Sequence, residues 1–250
     1  MDGALEKRLN ELALRAKHTG RACFTRFLEP SALPAVNAAA AHAGVEVALW
    51  GGYDGAERCM AAFYDEDPPG AGEWPMAALR LQWNGRFANP GHRDLLGAVM
   101  SLGIERETTG DIAMGTYRDA PCAYLFALAE VADYIAANLD SAGRAALKVC
   151  VATEDLQLSP PEGESLRLTV QQQRLDAVLA AACRLSRGEA QRLIAAGLVK
   201  LNHVPNLRAD ARVSEGDLIS ARGIGRLKVE AFAGESRRGR HIVTLFRYGK

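Results

Sequence analysis

The side chains best suited to chemistry cluster toward the C-terminal end, where Arg174, Arg184, Arg187, Arg192 and Lys200 recur within residues 174–200. Five cations so spaced offer charge pairing with phosphate oxygens, since the planar guanidinium fork matches an anionic oxygen pair. Strings that suggest catalysis each lack a partner. His92-Arg93-Asp94-Leu95 repeats a kinase catalytic-loop string, but position 99 is Val where the metal-binding Asn is needed, and DFG is missing. Gly51-Gly52-Tyr53-Asp54-Gly55 is followed by no Lys-Ser/Thr, so it reads as a turn, and the glycines at 223 and 225 lack the dinucleotide spacing. Cys23, Cys59, Cys122, Cys150 and Cys183 are far apart, with no CxxC and no His at ligand spacing; they read as small buried hydrophobes in a reducing compartment. No nucleophile with an adjacent His and acid can be assembled, so the expectation is a protein without catalysis, metal or cofactor.

The cations need elements to hold them. Leu175, Val178, Leu179 and Ala182 fall at i, i+3, i+4 and i+7, which predicts a short helix with one apolar stripe. Ser186 followed by Glu189 is a capping box opening a second helix, buried through Ala190, Leu193 and Ile194 and ended by Gly197. A strand at 198–201 and a turn at Asn202-His203 follow. Two helices beside a small sheet leave the arginines at helix ends and outer faces, forming a basic surface suited to nucleic acid.

Charge is distributed accordingly. The 250 residues carry no net charge, yet residues 166–250 hold 16 Lys and Arg against seven Asp and Glu, and residues 1–165 hold 14 against 23. Only the C-terminal third therefore has the electrostatics of a polyanion binder. Apolar content of 48% and charged content of 24% suit a globular protein. No signal-type apolar core opens the chain and no run reaches a membrane span of about 18 apolar residues, so a cytoplasmic location is expected.

In chain order, helices are predicted at 5–17 and 31–43, the second capped by Ser31 and ended by Gly44, then strands at 45–50 and 58–64. Residues 65–75 (DEDPPGAGEWP) have linker composition. Beyond them the order is strand 77–83, helix 92–102, strands 111–117 and 122–128, helix 130–139 and strand 147–153. This βαββαβ order is that of ferredoxin-like and RNA-recognition-motif (RRM) folds. Trp83, Tyr124 and Phe126 are expected to pack rather than stack on RNA, because the RRM consensus is absent and the region is acidic. Residues 159–165 (SPPEGES) form a second linker, before strands at 166–170, 218–221, 227–232 and 241–246 and a basic turn at 236–240. The expected fold class is α+β in three modules: an N-terminal α/β domain (1–72), an RRM-like domain (73–163) and a basic RNA-binding domain (164–250).

The pattern RLD-x-VL, LSR-x-x-A-Q-x-LI-x-x-G-x-V-x-x-N over residues 174–202 resembles the RNA-binding domain named from small-subunit ribosomal protein S-four. FLEP at 27–30, GGYDGAER at 51–58 and HRDLLGAVMSLGIERETTGDI at 92–112 resemble the bacterial YlmH-type RNA-binding proteins. The resemblance implies an N-terminal domain and an RRM-like domain followed by an S-four-type (αL) domain. It also implies binding of rRNA and tRNA on the large ribosomal subunit carrying peptidyl-tRNA, in ribosome-associated quality control, as a monomer off the ribosome, with a link to division-related proteins. Carried over, the motif gives an RNA face of Arg174, Arg184, Ser186, Arg187, Gln191, Arg192, Lys200 and Asn202. The Asn-Gly usual at its end is Asn202-His203 here, which leaves that turn's geometry open. One alternative is an RNA-modifying enzyme of pseudouridine-synthase type, since Arg174-Leu175-Asp176 mimics a catalytic string; another is a division-associated interaction protein.

Overall fold

A computed structural model describes residues 3–236 and 239–249, and its chain divides into two compact units, Met1–Ser159 and Pro160–Lys250. The second unit begins at Pro160, within the stretch 159–165 of linker composition. Arg237 and Arg238 of the predicted basic turn lie outside the described residues.

The first unit opens with α1 (Gly3–Thr19), whose buried Leu9, Leu12, Ala13 and Ala16 pack on α2 (Leu33–Ala43), with Leu5 half-buried against the same core. Between them lies β1 (Cys23–Phe24). Ser31 does not cap α2. It sits in a 3-10 turn, Pro30–Ala32, and Pro34 in the first helical turn presets the backbone instead. Gly44 ends α2 as predicted, at φ 63°, returning its N–H to the carbonyls of Ala40 and Ala41. Then β2 (Glu46–Trp50) and β3 (Met60–Tyr64) pair antiparallel, giving a sheet ordered β1-β3-β2.

A second sheet follows from β4 (Met76–Gln82), α3 (His92–Ser101), β5 (Thr109–Tyr117), β6 (Ala120–Leu128), α4 (Ala129–Asn138), β7 (Ser141–Ala142), β8 (Ala145–Ala146), β9 (Lys148–Val151) and β10 (Gln157–Leu158). Its order is β10-β5-β6-β4-β9, with every neighbouring pair antiparallel. Side chains alternate along β6. Ala123, Leu125 and Ala127 face a core shared with Leu95 and Val99 of α3 and Ile135 of α4, while Cys122, Tyr124, Phe126 and Leu128 pack with Phe27 and Met60. Both faces are therefore covered, which is why β6 reads as an almost unbroken apolar run. Trp83, Tyr124 and Phe126 are buried, as expected. The Asp94 carboxylate of the kinase-like string accepts the Gly91 N–H at 2.9 Å and caps α3.

The three motif stretches of this unit converge on one polar knot. Arg58, 5% exposed, pairs with Glu29 and donates to the carbonyls of Thr109 (3.1 Å), Arg106 (3.2 Å) and Phe27 (3.4 Å). Asp111 accepts from the Glu57 N–H (2.6 Å) and the Tyr53 hydroxyl (3.1 Å). Tyr53 also stacks on Phe126 at 5.1 Å, and Gly52, at φ 97°, approaches so closely that an added Cβ would lie 2.1 Å from that ring. The predicted turn at 51–55 is thus a lid segment pinned to the sheet.

The second unit contains β11 (Gly163–Val170), α5 (Leu175–Cys183), α6 (Arg187–Ala195), β12 (Val199–Leu201), β13 (Val204–Pro205), β14 (Leu218–Ala221), β15 (Gly225–Glu235) and β16 (His241–Tyr248), with a sheet ordered β11-β16-β15-β14-β12-β13. Part of the predicted second linker is strand, because Gly163, Glu164 and Ser165 pair with Tyr248, Arg247 and Phe246. Leu175, Val178, Leu179, Ala190 and Ile194 join Val199, Ile219, Val229, Val243 and Leu245 in one core. Among the described residues no helix is long and apolar enough to cross a membrane. The cysteines are free, but only Cys23 and Cys122 are buried; Cys59, Cys150 and Cys183 are half-buried, and desolvation pushes the Cys59 thiol up to about 11.

Candidate nucleic-acid interface

Arg174 is the N-cap of α5, in extended conformation, and forms an isolated antiparallel bridge with Arg212. The loop at 206–212 replaces a side-chain cap: Ala211 and Ala209 carbonyls accept the N–H groups of Leu175 (2.9 Å) and Asp176 (3.0 Å). The helix start is therefore fixed by backbone that lies more than thirty residues later in the chain.

Asp176 is fully buried and is the hub of the site. Its carboxylate accepts from Arg174 Nε (3.1 Å) and Nη2 (3.3 Å), from Arg187 Nε (3.0 Å) and from Gln191 Nε2 (2.9 Å). Burial alone would raise its pKa, but the donors Gln191, Arg187 and Arg174 outweigh that and hold the carboxyl below the usual range. An ionised Asp176 thus ties the first turns of α5 and α6 together. It also fixes the Arg187 guanidinium through Nε and the Arg174 guanidinium through Nε and Nη2, while the side chains of Arg174 and Arg187 remain 32% and 48% exposed. Such an array presents pre-aligned donors to an anion with little ordering cost left.

The capping box forms as predicted: Ser186 Oγ accepts the Glu189 N–H (3.2 Å) and Glu189 Oε2 accepts the Ser186 N–H (2.7 Å). Arg184 ends α5 in the left-handed region, φ 55° and ψ 40°, where glycine is the usual occupant. It is exposed, as are Arg192, whose Nε reaches the Gly188 carbonyl at 3.4 Å, and Lys200, opposite Ser220 and Pro205 in the sheet. Asn202 and His203 both take positive φ, 49° and 67°, so the two-residue turn between β12 and β13 keeps the form that Asn-Gly favours. The Asn202 side chain is turned inward along the sheet, donating to Asp217 Oδ1 (2.8 Å) and accepting the Leu218 N–H (2.9 Å).

The predicted residues accordingly fall into three groups. Arg174, Arg187 and Gln191 are drawn together on Asp176; Arg184, Arg192 and Lys200 stand exposed; Ser186 and Asn202 serve local structure. Sequence reasoning met Asp176 only in the Arg174-Leu175-Asp176 string that mimics a catalytic one and missed it as the hub. The available signal was an acid beside the apolar stripe of an otherwise uncharged helix. Arg247 was also missed: it donates to the Ala182 carbonyl near the end of α5 and pairs with Glu164 at 3.2 Å.

Residues 69–156 match the family described as "Putative RNA-binding domain in YlmH", and residues 173–219 match the S4 domain. "Ribosome-associated protein quality control protein P2" of Bacillus subtilis (strain 168) is 34% identical over 250 residues, spanning 99% of this chain and 93% of its own. The solved structure "Cell division protein ylmH from Streptococcus pneumoniae" aligns at 19% identity with a TM-score of 0.48, over 60% of this chain and 90% of that one. Both domain matches and a relative of that identity across the chain place this protein in the YlmH family of RNA-binding proteins.

Proposed function

We propose that this protein is a non-catalytic, cytoplasmic RNA-binding factor of the ribosome, monomeric when free. On this reading it binds rRNA and tRNA on the large subunit carrying peptidyl-tRNA and takes part in quality control of stalled synthesis. The carrying observation is the buried Asp176 holding Arg174, Arg187 and Gln191 within the matched S-four-type domain, flanked by exposed Arg184, Arg192 and Lys200. The name of the Bacillus subtilis relative supports the ribosomal setting. Phosphates would meet the outer guanidinium nitrogens, and Ser186 and Asn202 would contribute as supports of the face.

The split-βαβ reading of residues 73–163, distinct from an N-terminal module at 1–72, draws support from the antiparallel strand order and from the match at 69–156. The functional test is sedimentation of cell lysate through a gradient. The protein is expected to travel with large subunits and to be released by Arg187→Ala; co-migration indifferent to that change would sink the assignment of the RNA face.

A further inference from the structure

An RRM offers RNA the open face of its sheet, but here Tyr124 and Phe126 lie beneath Phe27, Tyr53 and Met60. If residues 69–156 bind RNA, they do so elsewhere. The end of the sheet provides a groove of about 780 Å³, lined by Arg80, Trp83, Tyr117, Arg118, Pro121 and Lys148. Positive charge gathers there within a region, residues 1–165, that is otherwise acidic, 23 Asp and Glu against 14 Lys and Arg.

The groove is built rather than incidental. Arg80, 9% exposed, is pinned by Glu154 and by Cys150 Sγ (3.2 Å), lies 3.6 Å from the Tyr117 ring centroid, and leaves its buried Nε without a hydrogen-bond partner. Arg118 lies 5.1 Å from the same ring. It sits in a two-residue hairpin turn with Asp119, at φ 51° and 63°, a conformation that Asp tolerates and that is costly for Arg118. Arg118 and Lys148 are exposed, and among the described residues neither has a carboxylate partner. Residues 84–89 form a loop anchored at both ends: Gly85 abuts Pro121, and Asn89 Oδ1 accepts the Trp83 indole N–H at 3.3 Å. That loop holds up Phe87, 86% exposed, beside Arg86.

We infer that this groove, together with the 84–89 loop whose Asn84 and Gly85 line its edge, is a second RNA site, which takes an unpaired RNA segment with phosphates on Arg118 and Lys148 in the groove and a base against Phe87 on that loop, outside the lining itself. Cations interleaved with an exposed aromatic suit single-stranded RNA, because phosphates and base faces alternate along it. The inference rests on the RNA-binding reading above but concerns residues outside the S-four-type face, so the two can fail separately.

The test uses the full chain bearing Arg187→Ala and Arg192→Ala, with a labelled twelve-nucleotide oligouridylate followed by fluorescence anisotropy. Binding should persist in this background. It should weaken about fivefold or more with Phe87→Ala, because the stacked base loses its platform. With Arg118→Ala and Lys148→Ala together the log–log salt slope should fall by about 0.7 for each phosphate left without its cation. All three positions are exposed, so unchanged thermal unfolding is expected and checks that the fold is intact. Absence of binding in the background chain, binding indifferent to these changes, or equal competition by oligoglutamate regardless of Phe87 would each overturn the inference. Large-subunit sedimentation insensitive to Arg187→Ala would instead overturn the S-four-type face and leave the groove standing.

Discussion

At the residue scale, Asp176 couples stability to binding, whereas Arg184 sets one against the other. Asp176→Ala removes the acceptor of three side chains; because both arginines reach water, the expected cost is about 1–3 kcal/mol rather than the larger loss of a fully enclosed pair. RNA affinity should fall with it, since the guanidiniums lose their alignment. The carboxyl is held below its ordinary value of 3.8. Its contribution is therefore full above that pH and is lost as pH falls from there through the lower folded value. Acid titration followed by near-UV circular dichroism should show a step below about pH 4 that Asp176→Asn abolishes. Arg184→Gly should reverse only the stability effect, raising stability by about 0.5–1 kcal/mol by relieving the left-handed backbone, while again weakening RNA binding. Thermal melts and anisotropy on the same variant decide it. The five cations were legible because charge and periodicity are local; the hub was not, because two of its three donors lie 11 and 15 residues away and no apolar stripe says which acid they share.

At the element scale, the helices were legible where spacing and caps agree, as in α1 and in α6 with its Ser186–Glu189 box. Ser31 misled because a serine before an apolar run resembles a cap, whereas Pro30 draws the backbone into a 3-10 turn first. Two-residue strands such as β1, β7 and β10 carry no periodic signal at all. The lid over the central sheet was likewise hidden, since period-two alternation says that Tyr124 and Phe126 share a face but not what covers them. Gly52 is the sharpest probe of that packing. Gly52→Ala must displace Phe126 and adopt a positive φ, so destabilisation of about 2–4 kcal/mol is expected in denaturant melts of the full chain, without change in the C-terminal hairpin.

At the scale of the whole molecule, a neutral chain is built from two parts of opposite sign. The basic C-terminal third falls within the second compact unit, which owns a complete core of its own. A fragment spanning 160–250 should therefore fold alone and retain RNA binding with a steep salt dependence, each phosphate contact contributing about 0.7–0.9 to the log–log slope. A flat titration of that fragment would show that its arginines do not contact phosphate. The charge asymmetry was plain in the sequence. The packing of Phe27, Tyr53 and Met60 on the central sheet was not, because it joins stretches far apart in the chain.

The Arg58 knot also sets a timetable for synthesis. Arg58 finds the Thr109 carbonyl 51 residues downstream, and the Phe126 ring beneath Gly52 lies further still. At ordinary elongation rates the nascent N-terminal segment waits roughly three to ten seconds for the first of these partners. During that interval Phe27, Met60 and the guanidinium of Arg58, which has only Glu29 and the Phe27 carbonyl within reach, are uncovered, so the segment open to chaperones and proteases is the one that later seals the sheet.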